Sequence, residues 1–253
     1  MRVVQIIALM AGLCFLSTSA WAAKGWEVID RDDGIVVSVK EVQGRSLPIF
    51  RGRGIVKGYI LDVLAVLSDS AARSTWVKPC MEAKSLKVID EFNRVVYDRT
   101  DAPWPVSDRD VVVRSKVQID HENGVVHVGF QSDPTTPYPI PDGVVRMTRL
   151  RGFYHLVVKG PERTEVTYQI DTDPGGMLPD WVIRLASRGI PRDTLSGLRE
   201  QVAKTRASGI YRELIATWTL LHVKSAESPA SDAPPAPAEG PSESPPALPP
   251  AAE

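Results

Sequence analysis

Strict alternation of apolar and polar residues marks the middle of the chain. Between Arg109 and Asp120, Val111, Val113, Ser115, Val117 and Ile119 fall on one side, and Asp110, Arg114, Lys116, Gln118 and Asp120 on the other. Successive strand side chains point to opposite faces, so the pattern predicts a long strand with one dry and one wet side. Asn123-Gly124, a hairpin signal, leads into a second strand, Val125 to Gln131, with Val126, Val128 and Phe130 on its apolar face. Upstream, Trp26 to Asp30, Ile35 to Val42, Ile49 to Lys57, Met81 to Asp90 and Asn93 to Thr100 read as further strands, with a tight turn at Asp33-Gly34. Downstream, a Pro-rich loop over Asp133 to Gly143 precedes two longer strands, Val145 to Lys159 and Arg163 to Asp171, joined at Gly160-Pro161. Val166, Tyr168 and Ile170 share the apolar side of the second.

A helical period replaces the strand period in three places. In Ile60 to Ser74, Leu61, Leu64, Ala65 and Ser68 repeat at helical spacing, and Trp76 and Pro79 close the segment. Pro179, a residue favoured in a first helical turn, opens a terminal helical region. There Leu178, Trp181, Val182 and Leu185 form one apolar stripe, and Leu195, Leu198 and Val202 another. Gly189-Ile190-Pro191 between them is expected to break or kink the helix. Ala207 to Val223 predicts a further helix, with Ile210, Leu214, Trp218 and Leu221 on one side. Hairpin-joined strands, one helical interruption and terminal helices define an α+β class with an antiparallel sheet.

The two ends are different material. Arg2, an apolar run from Val3 to Phe15 and the closing Ala20-Trp21-Ala22 have the form of a secretory signal peptide over residues 1–23, cleaved near Ala22. The run is shorter than the roughly 20 residues needed to cross a bilayer. Export to the periplasm or the medium is therefore expected. From Ser225 to Glu253 the chain holds nine of its 21 prolines and no Lys or Arg, so this tail cannot bury enough apolar surface to order itself. About 200 residues remain, enough for one domain with a sizeable core.

Few chemistries fit what is left. Cleavage removes Cys14 and leaves Cys80, with no nearby His to activate it and no partner for a disulfide, so it reads as a small buried residue. The four histidines, His121, His127, His155 and His222, lack metal-ligand spacing, and no nucleophile elbow, Walker loop or dinucleotide fingerprint is present. No metal or other cofactor is expected. Without a dense basic patch interleaved with aromatics, nucleic acid is not an expected partner.

Two motifs carry a resemblance. Pro103-Trp104-Pro105-Val106-Ser107-Asp108-Arg109-Asp110 opens the long strand, and Gly175-Gly176-Met177-Leu178-Pro179-Asp180-Trp181 opens the last helical region. With Leu61-Asp62-Val63-Leu64 and Trp76-Val77-Lys78-Pro79-Cys80, in that order, they resemble the START (steroidogenic acute regulatory-related lipid transfer) family over roughly residues 26–203. The resemblance implies a helix-grip fold, a curved antiparallel sheet wrapped around a C-terminal helix with an apolar tunnel between them. Several START proteins carry a basic side chain six residues after the motif arginine; here that position is Ser115.

The resulting expectation is a START-like lipid-binding domain over residues 24–206, an additional helix over 207–224 and the tail over 225–253. The domain is expected to bind a lipid or other hydrophobic small molecule without catalysis, as a monomer making transient membrane contact. Pocket candidates are Arg109, Val111, Val113, Ser115, Val117, Val128, Phe130, Tyr168, Met177, Trp181 and Leu185. Asp108, Arg109 and Asp110 read first as an ion-pair and turn-capping cluster, and alternatively as a polar site at the pocket mouth. The terminal helix or the loop Pro134 to Gly143 is the expected lid. Alternatives are a cyclase- or hydrolase-like enzyme of the same superfamily, which needs titratable groups converging inside the tunnel, and a ligand-free interaction scaffold.

Overall fold

A computed structural model describes residues 25–45 and 47–227, with side chains as far as 219. The signal peptide expected over 1–23, residues 228–253 of the expected tail and the side chain of Leu221 lie outside the described residues. Three strands, β1 (Glu27–Asp32), β2 (Ile35–Lys40) and β3 (Ile49–Lys57), are followed by the helices α1 (Ile60–Ser68) and α2 (Arg73–Trp76). Then come β4 (Cys80–Val88), β5 (Asn93–Thr100), β6 (Arg109–Asp120), β7 (Val125–Ser132), β8 (Val145–Arg146), β9 (Arg149–Val158) and β10 (Arg163–Asp173). Two helices, α3 (Asp180–Ser208) and α4 (Arg212–Glu227), end the described chain. Nine strands form one antiparallel sheet in the order β1-β2-β3-β10-β9-β7-β6-β5-β4, and β8 pairs in parallel with the start of β6. The sheet and its C-terminal helix α3 make the α+β helix-grip architecture expected from the sequence.

The grip is fixed at the C-terminal half of α3. Leu195, Leu198 and Val202 are almost wholly enclosed. Arg199 donates to the Ile55 and Asp33 carbonyls at 2.8 and 2.7 Å, and Arg206 pairs with Asp62 at 2.9 Å. Close approach is allowed by two glycines. A Cβ on Gly52 of β3 would lie 3.0 Å from Pro191 Cβ and Leu195 Cδ1, and one on Gly197 would fall 2.0 Å from the Trp76 carbonyl oxygen. Pro191 does not break the helix as expected: α3 runs through it, with the proline buried against the strand at Gly52.

Four further expectations change. The helix over Ile60 to Ser74 stops at Ser68, because Asp69 leaves the helical conformation and accepts from the Ala72 N–H at 3.0 Å and the Tyr211 hydroxyl at 2.7 Å. The strand over Val145 to Lys159 divides in two. β8 follows β6, while β9 runs between β10 and β7, so the chain changes partners at Met147-Thr148. The helix expected from Ala207 starts at Arg212, since Gly209 caps α3 in the left-handed region at φ 67°. Residues 225–227, read as tail, continue α4. This helix belongs to a separate unit beginning at Arg212.

The supposedly wet side of β6 is partly dry. Asp110 is 0% exposed and Val112 3%. Val112, Val95 and Tyr97 form a cluster beneath Leu86 and Tyr138, and the Tyr97 and Tyr138 ring centroids are 4.3 Å apart. Arg146 grips Asp110 with two bonds, at 2.7 and 2.9 Å, and also donates to the Tyr138 and Pro139 carbonyls. The loop Pro134 to Gly143 is thereby tied to the outer face of the sheet. None of its residues is among those lining the cavity described next.

Candidate ligand-binding cavity

Strand alternation and the placement of α3 leave a partly open cavity of about 500 Å³. Its volume lies within the range of roughly 300–1,000 Å³ typical of small-ligand sites. On β6, Arg109, Val111, Val113 and Ser115 line it at alternate positions; Val128 and Phe130 of β7 and Tyr168 of β10 join them. Val117 continues the same face but is buried beyond the lining. From the α3 side, Leu178, Val182 and Leu185 point in, Leu185 remaining 59% exposed. Met177 and Trp181 do not line the cavity; they are 97% and 43% exposed. On α3, Val182 and Leu185 take the cavity side, which turns Trp181 away, and Met177 lies in the turn before the helix.

Five charged residues of the cavity lining, Arg73, Lys78, Asp98, Asp101 and Asp193, were not among the sequence candidates, and two of them pair at the wall. Arg73 of α2 donates to Asp98 of β5 at 2.9 Å, and both side chains line the cavity. Burial raises the Asp98 carboxyl above its usual range, and the adjacent Arg73 opposes the rise. The carboxylate in turn favours the charged guanidinium, whose value is raised despite burial. Asp98 Oδ2 takes the arginine, while Oδ1 is enclosed and has no hydrogen-bond partner. Asp98 was legible to a degree, since it alternates in phase with Val96, another lining residue. Arg73 carried no such signal, because the end of α1 and the new start at α2 were not evident.

Several of the other polar groups are inert or structural. Tyr154 and Tyr168 line the cavity with ring centroids 4.7 Å apart, and burial holds both phenols protonated far above neutral pH. Burial, with Asp98 nearby, pushes the Cys80 thiol up to about 11, so the thiolate needed for nucleophilic attack is scarce at neutral pH. Arg109 donates to the carbonyls of Ser107, Pro174 and Gly175, and Asp108 pairs with Arg99 at 2.6 Å. These bonds tie the start of β6 to the turn before α3. Arg114 faces away from the cavity and pairs with Asp133 at 2.9 Å.

A sheet closed by one long helix over a mostly apolar hollow defines a domain built to enclose a guest. A family model of the START domain matches residues 14–207, and the chain belongs to that family. An uncharacterised protein of Pseudomonas aeruginosa is 31% identical over 204 residues, spanning 81% of this chain and 100% of its own. The phosphatidylcholine transfer protein of Bos taurus is 29% identical over 180 residues, 70% of this chain and 84% of its own. Among solved structures, a STAR-related lipid transfer protein from Xanthomonas axonopodis superposes with a TM-score of 0.64 at 32% identity, covering 71% of this chain and 99% of that one.

Proposed function

We propose that this protein takes a lipid into the cavity under α3 and carries it, without covalent chemistry, through an aqueous compartment reached by export. The observation that carries the reading is the cavity of about 500 Å³, walled mostly by aliphatic and aromatic side chains, with the Arg73–Asp98 ion pair among its few charged groups. Each CH2 moved from water into such a space gains about 0.8 kcal/mol, so a chain of about a dozen carbons supplies on the order of 10 kcal/mol. Relatives named as transfer proteins agree in direction.

The part of α3 before Pro191 is the proposed lid. It carries the inward Val182 and Leu185 and follows the inward Leu178, whereas the half beyond Pro191 is bolted down by Arg199 and Arg206. The same segment exposes Met177, Trp181, Arg184, Leu185 and Arg188, and Trp104, 90% exposed, sits between the lining residues Pro103 and Val106. Aromatic and aliphatic side chains beside arginines suit the surface of an anionic bilayer, where the lid would open. Delipidated protein incubated with vesicles, re-isolated and analysed by native mass spectrometry should carry lipid in about one-to-one ratio. Recovery of protein without any bound lipid would overturn the proposal.

A further inference from the structure

We propose that the Arg73–Asp98 pair selects phospholipids whose headgroup nitrogen still bears an N–H, ethanolamine phospholipids above choline phospholipids. This rests on the reading of the cavity as a lipid site. Asp98 lines the cavity with one carboxylate oxygen on Arg73 and the other enclosed and unpartnered. A buried acceptor left without a donor is unfavourable, so the wall as it stands is incomplete. A ligand phosphate meeting Arg73 would draw the guanidinium's N–H groups toward its own oxygens. That leaves Asp98 needing a replacement donor, and an unpaired buried carboxylate is the costly state. A primary ammonium on the same headgroup supplies both the charge and the N–H, and the four-group cluster stays neutral. A hydroxyl supplies a donor but not the charge.

A trimethylammonium group supplies the charge but has no N–H for either oxygen. Its usual recognition is by aromatic faces arranged around it. The aromatic rings near this pair are not so arranged. Tyr154 and Tyr168 stack with centroids 4.7 Å apart, each giving one face to the other, and Phe130 lies 5.9 and 6.4 Å from the two.

The test needs no variant at first. The delipidated protein is offered equimolar phosphatidylethanolamine, its N-methyl and N,N-dimethyl derivatives and phosphatidylcholine, with identical acyl chains, in mixed vesicles. Bound lipid is then extracted and quantified. The expected result is a preference of about tenfold or more for the ethanolamine lipid over the choline lipid, the size of one charge-assisted hydrogen bond, with the largest step at the last methyl. Asp98→Asn should flatten the series, read as the ratio of ethanolamine to choline lipid in whatever lipid it binds. A flat series with the natural protein, or a preference for choline, overturns the inference and leaves the carrier reading intact. Asp98→Asn retaining the natural preference also overturns it. Uptake of none of the four defeats the carrier reading itself.

Discussion

Replacing both members of the cavity's ion pair by apolar residues separates stability from selectivity. Arg73→Met alone strands the Asp98 carboxylate, whose side chain is only 15% exposed, without its cation. Removing one partner of a buried pair costs about 3–5 kcal/mol, whereas replacing both with apolar groups of similar volume is neutral or stabilising by about 1–4 kcal/mol. In a domain of this size each kcal/mol moves Tm by about 2–4 °C. Arg73→Met should therefore melt about 6–20 °C below the natural protein, and Arg73→Met with Asp98→Leu at or above it. The assay is thermal denaturation of delipidated protein followed by circular dichroism, with both single variants completing the cycle. A double variant melting as low as Arg73→Met would refute the reasoning, because the pair would then be a structural tie rather than a polar feature kept for the guest.

Three other outcomes follow from the geometry. Ser115→Trp projects a large ring into the cavity from the middle of β6 and should cut lipid uptake at least tenfold while the far-ultraviolet spectrum keeps its folded form; unchanged uptake would place the guest elsewhere. Asp133 is held down to about 2 by the Thr135 and Thr136 hydroxyls and Arg114, against about 3.9 in the unfolded chain. A depressed carboxyl stabilises the fold above the unfolded value and loses that contribution as pH falls toward the folded one. Urea titrations should thus show about 1–2 kcal/mol disappearing between about pH 4 and pH 2 in the natural protein but not in Asp133→Asn. Trp181→Ser with Leu185→Ser should slow lipid delivery between vesicles severalfold with smaller change in the amount of lipid held at equilibrium, measured by fluorescence dequenching; equal rates would remove the α3 lid from the bilayer.

How much could be read from residues alone depended on how far apart the deciding partners lie. β6 was legible because its alternation is local, and the same pattern named Val111, Val113 and Ser115 as lining residues. Its outer face was misjudged because the group that dries Asp110 is Arg146, 36 positions later. The division between β8 and β9 left one local trace, a shift of the apolar phase at Thr148-Arg149, but it takes the pairing of Val145 and Arg146 with the start of β6 to separate the two pieces. Pro191 obeys its local rule in losing a backbone donor, yet Gly52 on β3 gives it a seat and the helix survives. Met177 and Trp181 were placed inside on the strength of the resemblance, whereas the inward side of α3 belongs to Val182 and Leu185.

The pair at the cavity wall connects occupancy to folding. An enclosed carboxylate oxygen lacking a donor weakens the empty protein, so a guest that satisfies it stabilises the occupied state beyond what chain burial contributes. Binding to the native state alone stabilises by RT ln(1 + [L]/Kd), and a tenfold difference in Kd appears as about 1.4 kcal/mol at saturating ligand. Ethanolamine and choline lipids of equal chain length should therefore raise Tm by amounts differing by about 3–6 °C. The difference should vanish in the apolar double variant, where chain burial remains and the polar wall does not. A difference surviving in that variant would mean that the headgroup is read by residues other than Arg73 and Asp98.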